Sequence, residues 1–249
     1  MIQCVPRKSK RFFLAFSRAD WYVKMGAPEN AARKGALGMI FYTADLHLGY
    51  FPILHDTARP FASVEEMDRV LIDNWNARVG RDDTVYIVGD FSYNGGEAPT
   101  QYLSRLNGTL HLIRGNHDTG LRNAERLLDY CRSVTDFLEI DDGGCHILLC
   151  HYPILHEKGG YMIHGHIHNR RNHAYELLKT LPRVLNAGTD INFYRPVTLQ
   201  ELIENNRKYY SEEYPQLFPI PPEPDRNAPG RMPRRPDFRP LPQRKENTL

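Results

Sequence analysis

Five short apolar runs in this chain each end on a carboxylate or an imidazole. Met39 to Ala44 leads into Asp45-Leu46-His47, and Thr84 to Val88 into Gly89-Asp90. Thr109 to Ile113 leads into Arg114-Gly115-Asn116-His117-Asp118. Cys145 to Cys150 leads into His151, and Tyr161 to His164 into Gly165-His166-Ile167-His168. Runs of this length and composition, closed by polar residues, read as buried strands. Open α/β folds place their chemistry just past strand ends. The recurrence restricts the chain to folds in which those ends converge.

The donor set points to a metal. It consists of oxygen and imidazole without thiolate, which suits a hard-to-borderline divalent pair that activates water and grips phosphate. Asp45 and His47 are two residues apart, so in extended chain they point the same way. His166 and His168 repeat that spacing, and Gly165 permits a close backbone approach. Asp90, at a strand end, is positioned to bridge two cations, and Asn116 offers a neutral carbonyl oxygen. Each motif alone is common by chance. The ordered series, with each member at a strand terminus, is not.

Between the runs, Ser63 reads as an N-cap with Glu66 as its capping-box partner. Val64, Met67, Leu71, Trp75 and Val79 recur at helical spacing and predict a buried helix face. Further helices are expected near 97–106, 121–130 and 200–210. Residues 49–62 read as a long loop. Ser133 to Ile140 reads as one strand, joined to the next by the hairpin signal Asp141-Asp142-Gly143-Gly144. Arg183 to Asn186 and Val197-Thr198-Leu199 read as strands as well. The order, βαβαβα and then mostly β, predicts two stacked sheets with helices outside.

Composition sets the limits. A chain of 249 residues with 41% hydrophobic content supports one core plus extensions. The reading divides it into a basic N-terminal extension (1–38), a domain over 39–211 and a Pro/Arg-rich tail (212–249). Eight Lys/Arg against two acids in residues 1–38 make that end basic, and residues 221–249 carry seven against four. The intervening 39–210 are net −5. Basic ends are compatible with nucleic acid as a partner, although such runs are commonly just solvated. No run reaches membrane-spanning length. The Phe12–Phe16 stretch is too short for a signal peptide and is followed by Ser17-Arg18-Ala19-Asp20. A cytoplasmic protein without membrane contact is expected. Cys4, Cys131, Cys145 and Cys150 form no CxxC pair, and Cys145 and Cys150 are expected to be buried as small hydrophobes.

With these motifs in order, residues 39–200 resemble the calcineurin-like metallophosphoesterases, in particular the small bacterial and phage members. Arg59-Pro60-Phe61 through Asn74-Trp75-Asn76, and Asn192-Phe193-Tyr194-Arg195-Pro196-Val197, add to the likeness. The resemblance implies a four-layer α/β/β/α sandwich of two mixed sheets flanked by helices. It also implies two divalent ions, drawn from Mn, Fe, Ni, Co or Zn. Asp45, His47 and His168 would hold one ion, Asn116, His151 and His166 the second, and Asp90 would bridge. A metal-activated hydroxide would attack the phosphoester, favouring diesters over monoesters. His117 would protonate the leaving oxygen, with Asp118 orienting its ring. Arg59 and Arg114 are candidates to contact substrate, and for Arg114 a structural ion pair is the alternative. His55, Arg170 and Arg171 flank the motifs, and His164 is read either as support for His166 or as a core histidine. The Ala44-Asp45-Leu46-His47-Leu48 start also resembles the lipid A pathway pyrophosphatases, but those carry arginine where His117 stands. The alternatives to a phosphoesterase are a nuclease guided by the basic ends and a non-catalytic metal-binding interaction module.

Overall fold

The computed structural model describes residues 38–93, 97–118, 126–155 and 159–211. Both terminal extensions of the sequence reading lie outside these ranges, apart from Gly38. So does half of the helix expected at 121–130, and the described half holds a 3₁₀ turn at Leu127–Asp129.

Alternation along three strands builds two cores at once. In β1 (Ile40–Thr43), β2 (Thr84–Val88) and β3 (Thr109–Ile113), Phe41, Val85, Ile87, Leu110 and Leu112 face one way. There they meet Met67, Val70, Leu71 and Trp75 of helix α2 (Val64–Arg78). Tyr42, Tyr86, Val88 and Ile113 face the other way, onto Ile147, Leu149, Ile163 and Leu185 of the second sheet. A parallel sheet apolar on both faces must be covered on both, and this one has a helix on one side and a sheet on the other. The first sheet runs β1-β2-β3-β4, with β4 at Cys131–Thr135, and all its strands are parallel. The second runs β5-β6-β7-β8, over Phe137–Asp142, Cys145–Cys150, Tyr161–His164 and Val184–Asn186. It is mixed, since β5 is antiparallel to β6 and the other pairs are parallel. The result is the expected sandwich, with the mixed character confined to one of the two sheets.

Helix α2 forms as its spacing predicts. Ser63 Oγ accepts from the Glu66 amide at 3.2 Å, while the Glu66 carboxylate reaches back to the Ala62 amide at 2.7 Å. At the far end of the chain, α5 (Leu199–Tyr209) starts with a full capping box between Thr198 and Glu201. The strand expected at Val197-Thr198-Leu199 is therefore reduced to one antiparallel bridge, Val197 to Tyr42. The run read as one strand over 133–140 is two, β4 and β5, which enter different sheets on either side of Asp136. Three short helices also depart from the reading. α1 (Ile53–Asp56) lies within the expected loop, α3 is limited to Pro99–Leu103, and α4 (His173–Leu178) was not anticipated. Cys145 and Cys150 are half-buried rather than buried, and with Cys131 they are free thiols. Among the described residues, no helix is long and apolar enough to cross a membrane.

Candidate metal centre

Strand register brings the motifs to one edge. β1, β2 and β3 are parallel neighbours, so the segments after them, carrying Asp45/His47, Asp90 and Asn116/His117, emerge side by side. β6, β7 and β8 do the same for His151, His166/His168 and Asp190. Thr189 N donates to Ala44 O at 2.9 Å and joins the two sets, while within the first set Asp45 N donates to Gly89 O at 3.0 Å and His47 N to Asp90 O at 3.0 Å.

The two-residue spacings do not work through strand alternation as expected. Asp45, His47, Asp90, His166 and His168 all have left-handed backbone, with φ of 56°, 51°, 52°, 74° and 53°. For non-glycine residues this costs on the order of 1–2 kcal/mol each, and such residues persist only where their surroundings fix them. Here the fixing is visible. Both Asp45 carboxylate oxygens accept from His166 N at 3.0 Å, and the Asp90 carboxylate accepts from His117 N at 2.8 Å. Gly115 is required because a side chain there would overlap the Asp90 carboxylate.

Two groups of possible ligands result: Asp45, His47 and His168, and Asp45, Asp90 and His151. In each, the donor atoms lie within 4.8 Å of one another. Asp45 is common to both. Asp90 Oδ2 also lies between them, 3.5 Å from His47 Nε2 and 3.3 Å from His151 Nε2. Asn116 Oδ1 is 3.0 Å from His151 Nε2 and 2.9 Å from His166 Nδ1. His117 stands beside the group, its ring 5.1 Å from that of His47. The structure thus brings together all seven expected ligands and His117.

The donors fit divalent cations. His47 is buried, and neither of its ring nitrogens has a hydrogen-bond partner among the described residues. Burial, the His168 charge and Arg59 hold its pKa well below the usual value, so it is a neutral imidazole. Burial works against a charge on His151, but the Asp90 hydrogen bond and the charges of Asp45 and Asp90 override it and push its pKa up to about 9. The same burial would raise Asp90, yet His151 and His47 hold its carboxyl well below the usual carboxylate range. Burial raises Asp45. Burial and the His151 charge push His166 down to about 4. Protons thus sit where cations would otherwise balance buried carboxylates.

Two expected roles change, and a third residue takes one of its two expected places. Arg59 does not face a substrate. Its side chain is fully buried behind the cluster, donating from Nε to Asp190 Oδ1 at 2.8 Å and from its terminal nitrogens to Asp45 O at 2.7 Å and Leu46 O at 2.8 Å. The 49–62 segment folds inward at α1, which carries Arg59 beneath the site instead of over it. Asp118 does not hold the His117 ring. Its buried carboxylate accepts from the amides of Gly115 (2.7 Å), Asp90 (2.8 Å) and Phe91 (2.9 Å), tying two ligand-bearing loops together. Burial, with Asp90 adding to it, pushes that carboxyl up to about 6. Arg114 pairs with Asp136 at 2.7 Å, the structural alternative.

Flanking residues take modest places. His164 is a buried core histidine, with Nδ1 on Gly165 O at 2.7 Å. His166 lies past the strand end with left-handed backbone, so alternation does not relate it to His164. His55 packs edge-on to Phe51, and Arg171 lies over Tyr175.

One functional residue escaped the sequence reading. Asp190 Oδ2 is 2.9 Å from His168 Nδ1. A carboxylate there fixes the tautomer and leaves Nε2 free for a cation. His151 is fixed in the same sense by Val88 O, 3.0 Å from its Nδ1. A signal existed, since Gly188-Thr189-Asp190 follows the apolar run ending at Asn186, much as Gly89-Asp90 follows β2.

Comparison with known proteins agrees with this architecture. Residues 39–212 match the calcineurin-like phosphoesterase family, and the chain belongs to it. It is similar to an uncharacterised protein of Methanocaldococcus jannaschii, MJ1445, with 31% identity over 170 residues, spanning 66% of this chain and 89% of that one. It is also similar to the gene 66 protein of a Mycobacterium phage, with 32% identity over 180 residues, spanning 61% of this chain and 87% of that one. The crystal structure of AQ665 from Aquifex aeolicus, a protein of unknown function, aligns with a TM-score of 0.53 at 25% identity, covering 67% of this chain and 98% of that one.

Proposed function

We propose that this chain is a dinuclear-metal phosphoesterase that hydrolyses phosphodiesters in preference to monoesters. The domain over 39–211 would carry the activity. The observation that carries this reading is the convergence of two buried ligand groups that share Asp45, with Asp90 between their histidines. Asp45, His47 and His168 would hold one cation, and Asn116, His151 and His166 the other, with both carboxylates in reach of each. Bound cations there supply a lowered pKa for water and charge stabilisation for the phosphoryl oxygens.

The remaining work falls to the protein. Asp190 and Val88 O aim the imidazoles of His168 and His151. Asp118 holds the loops after β2 and β3 in register. His117, beside the cluster and not among its ligands, donates a proton to the departing oxygen. Alkoxide leaving groups need that proton, so esters of ordinary alcohols come within reach of the site.

The test is a panel of mono- and diesters assayed on the purified full chain with Mn, Fe, Ni, Co and Zn in turn. Metal-dependent release of alcohol that is lost on chelation is expected. Ion binding without turnover on any ester would favour the non-catalytic module instead. A preference for polynucleotides that fades with added salt would favour the nuclease.

A further inference from the structure

Among the described residues nine large hydrophobic side chains are exposed, and five of them, Phe51, Tyr93, Tyr152, Ile154 and Leu155, stand within four residues of a candidate ligand. Scattered single exposures are normal on a protein surface, but these concentrate on the loops that carry the metal centre. Two of the rings touch it. Tyr152, 46% exposed, lies with its centroid 4.7 Å from the His166 ring and 5.2 Å from that of His151. On the other side Tyr93 packs against Tyr50 at 4.2 Å, and both approach the His117 ring, at 5.8 and 6.1 Å. The cluster is flanked by an aromatic wall at the proton donor and by a second, more open one at His166.

The charge around the centre limits what can reach these walls. A cavity of about 450 Å³ opens at Gly49, two residues past His47, and is lined by Glu65, Asp68, Asp73 and Glu97. Its two arginines are already paired, Arg69 with Asp73 and Arg105 with Glu97. With four carboxylates against two arginines this lining is net acidic, so a long polyanion laid across it would be repelled, whereas a single phosphoester at the ligands would not reach it.

Resting on the phosphoesterase reading, we propose that the substrate is a small phosphodiester whose non-leaving ester carries a planar aromatic ring, of the nucleoside-monoester type, and that this ring stacks on Tyr152. His117 and the Tyr50–Tyr93 wall then mark the leaving-group side, which leaves the His166 side, with Tyr152, Ile154 and Leu155, for the retained ester. Stacking of a base on one aromatic side chain is worth about 1–3 kcal/mol by alanine substitution.

The test compares thymidine 5′-(4-nitrophenyl phosphate) with methyl 4-nitrophenyl phosphate, which share a leaving group, on the full chain with Mn²⁺. The wild type should favour the thymidine ester by about tenfold or more in kcat/KM, mainly through KM. Tyr152→Ala should cut that preference by about 5–50-fold, and Tyr152→Phe should retain it. A wild-type preference below about twofold, or one unchanged in Tyr152→Ala, overturns the proposal. An oligothymidylate that competes better than thymidine 5′-monophosphate overturns the restriction to small substrates. If neither ester is cleaved with any metal, it is the phosphoesterase reading that has failed. Calorimetry with thymidine 5′-monophosphate then decides the platform, which stands if Tyr152→Ala weakens binding and falls if the wild type does not bind.

Discussion

The two halves of the candidate metal centre, divided as proposed above, are built differently. The half with Asp45, His47 and His168 is buried and backed by charge, because Asp190 grips His168 and Arg59 grips Asp190. The half with Asn116, His151 and His166 is more open. His151 is buried, but His166 is exposed and Asn116 partly so, and among the described residues the anionic neighbours of this half are the shared pair of carboxylates. Outer-sphere partners orient ligands and raise their basicity. The difference therefore predicts one position that holds its cation tightly and one that exchanges it, with substrate entering at the open side. In a static polypeptide this asymmetry comes from a single ion pair placed behind one histidine.

The largest effect expected is at the residue that erases the comparison. Asp90→Asn removes a charge that faces both halves, so both positions should weaken and turnover should fall to background. Metal analysis showing two tightly held ions in an active variant would refute the shared role. Next is His117→Gln, which should leave both ions in place and slow turnover by about 10²–10⁴-fold. The loss should be smaller on 4-nitrophenyl esters, whose leaving group needs little protonation, and equal loss on all esters would indicate charge stabilisation instead. A paired experiment then separates the halves. Asp190→Asn should lower affinity at the buried position by about 10–100-fold and spare the open one, while Asn116→Ala should do the reverse. Loss of both ions in either variant would show that the halves are not independent.

The mildest perturbation, which alters no side chain, is a change of pH. In the metal-free chain His151 titrates near 9 and His168 is also raised, burial being outweighed by Asp45 and Asp190. Both are raised above the ordinary imidazole value, and with His151 pushed up to about 9 a cation binding at neutral pH must expel its proton. Affinity should therefore climb with pH, by about tenfold per unit for each proton displaced, and level off above about 9. His47 and His166 are depressed and already neutral, so they add nothing. Titrations in two buffers of different ionisation enthalpy would reveal the released protons, and an affinity flat from pH 6 to 8 would contradict this.

The sequence carried the strand ends well because each is a local event. An apolar run of fixed length stops at a polar residue, and β2, β3 and β7 begin and end where that pattern does. It carried the break at Asp136 poorly, because β4 and β5 are both strand-like and what separates them is a change of partner sheet. Helices of four to six residues, such as α1 and α4, are too short to show a period. That these residues belong together was readable, but the way they converge was not. Extended spacing suggested alternation, whereas the residues sit in left-handed backbone that only tertiary hydrogen bonds explain. The Arg59–Asp190 pair was least accessible of all, since its members lie 131 residues apart and nothing local to either points to the other. A buried arginine and a surface arginine look identical in one dimension.

Two cations held close together and unequally by one chain would leave a distinct magnetic signature. It can be read by stepwise Mn²⁺ titration of the 249-residue chain, followed by electron paramagnetic resonance and elemental analysis. A first ion should bind tightly with an isolated-ion spectrum, then a second more weakly. The single-ion signal should be replaced by that of a magnetically coupled pair, at two ions per chain. Saturation at one ion, or two ions that bind equally and never couple, would contradict it.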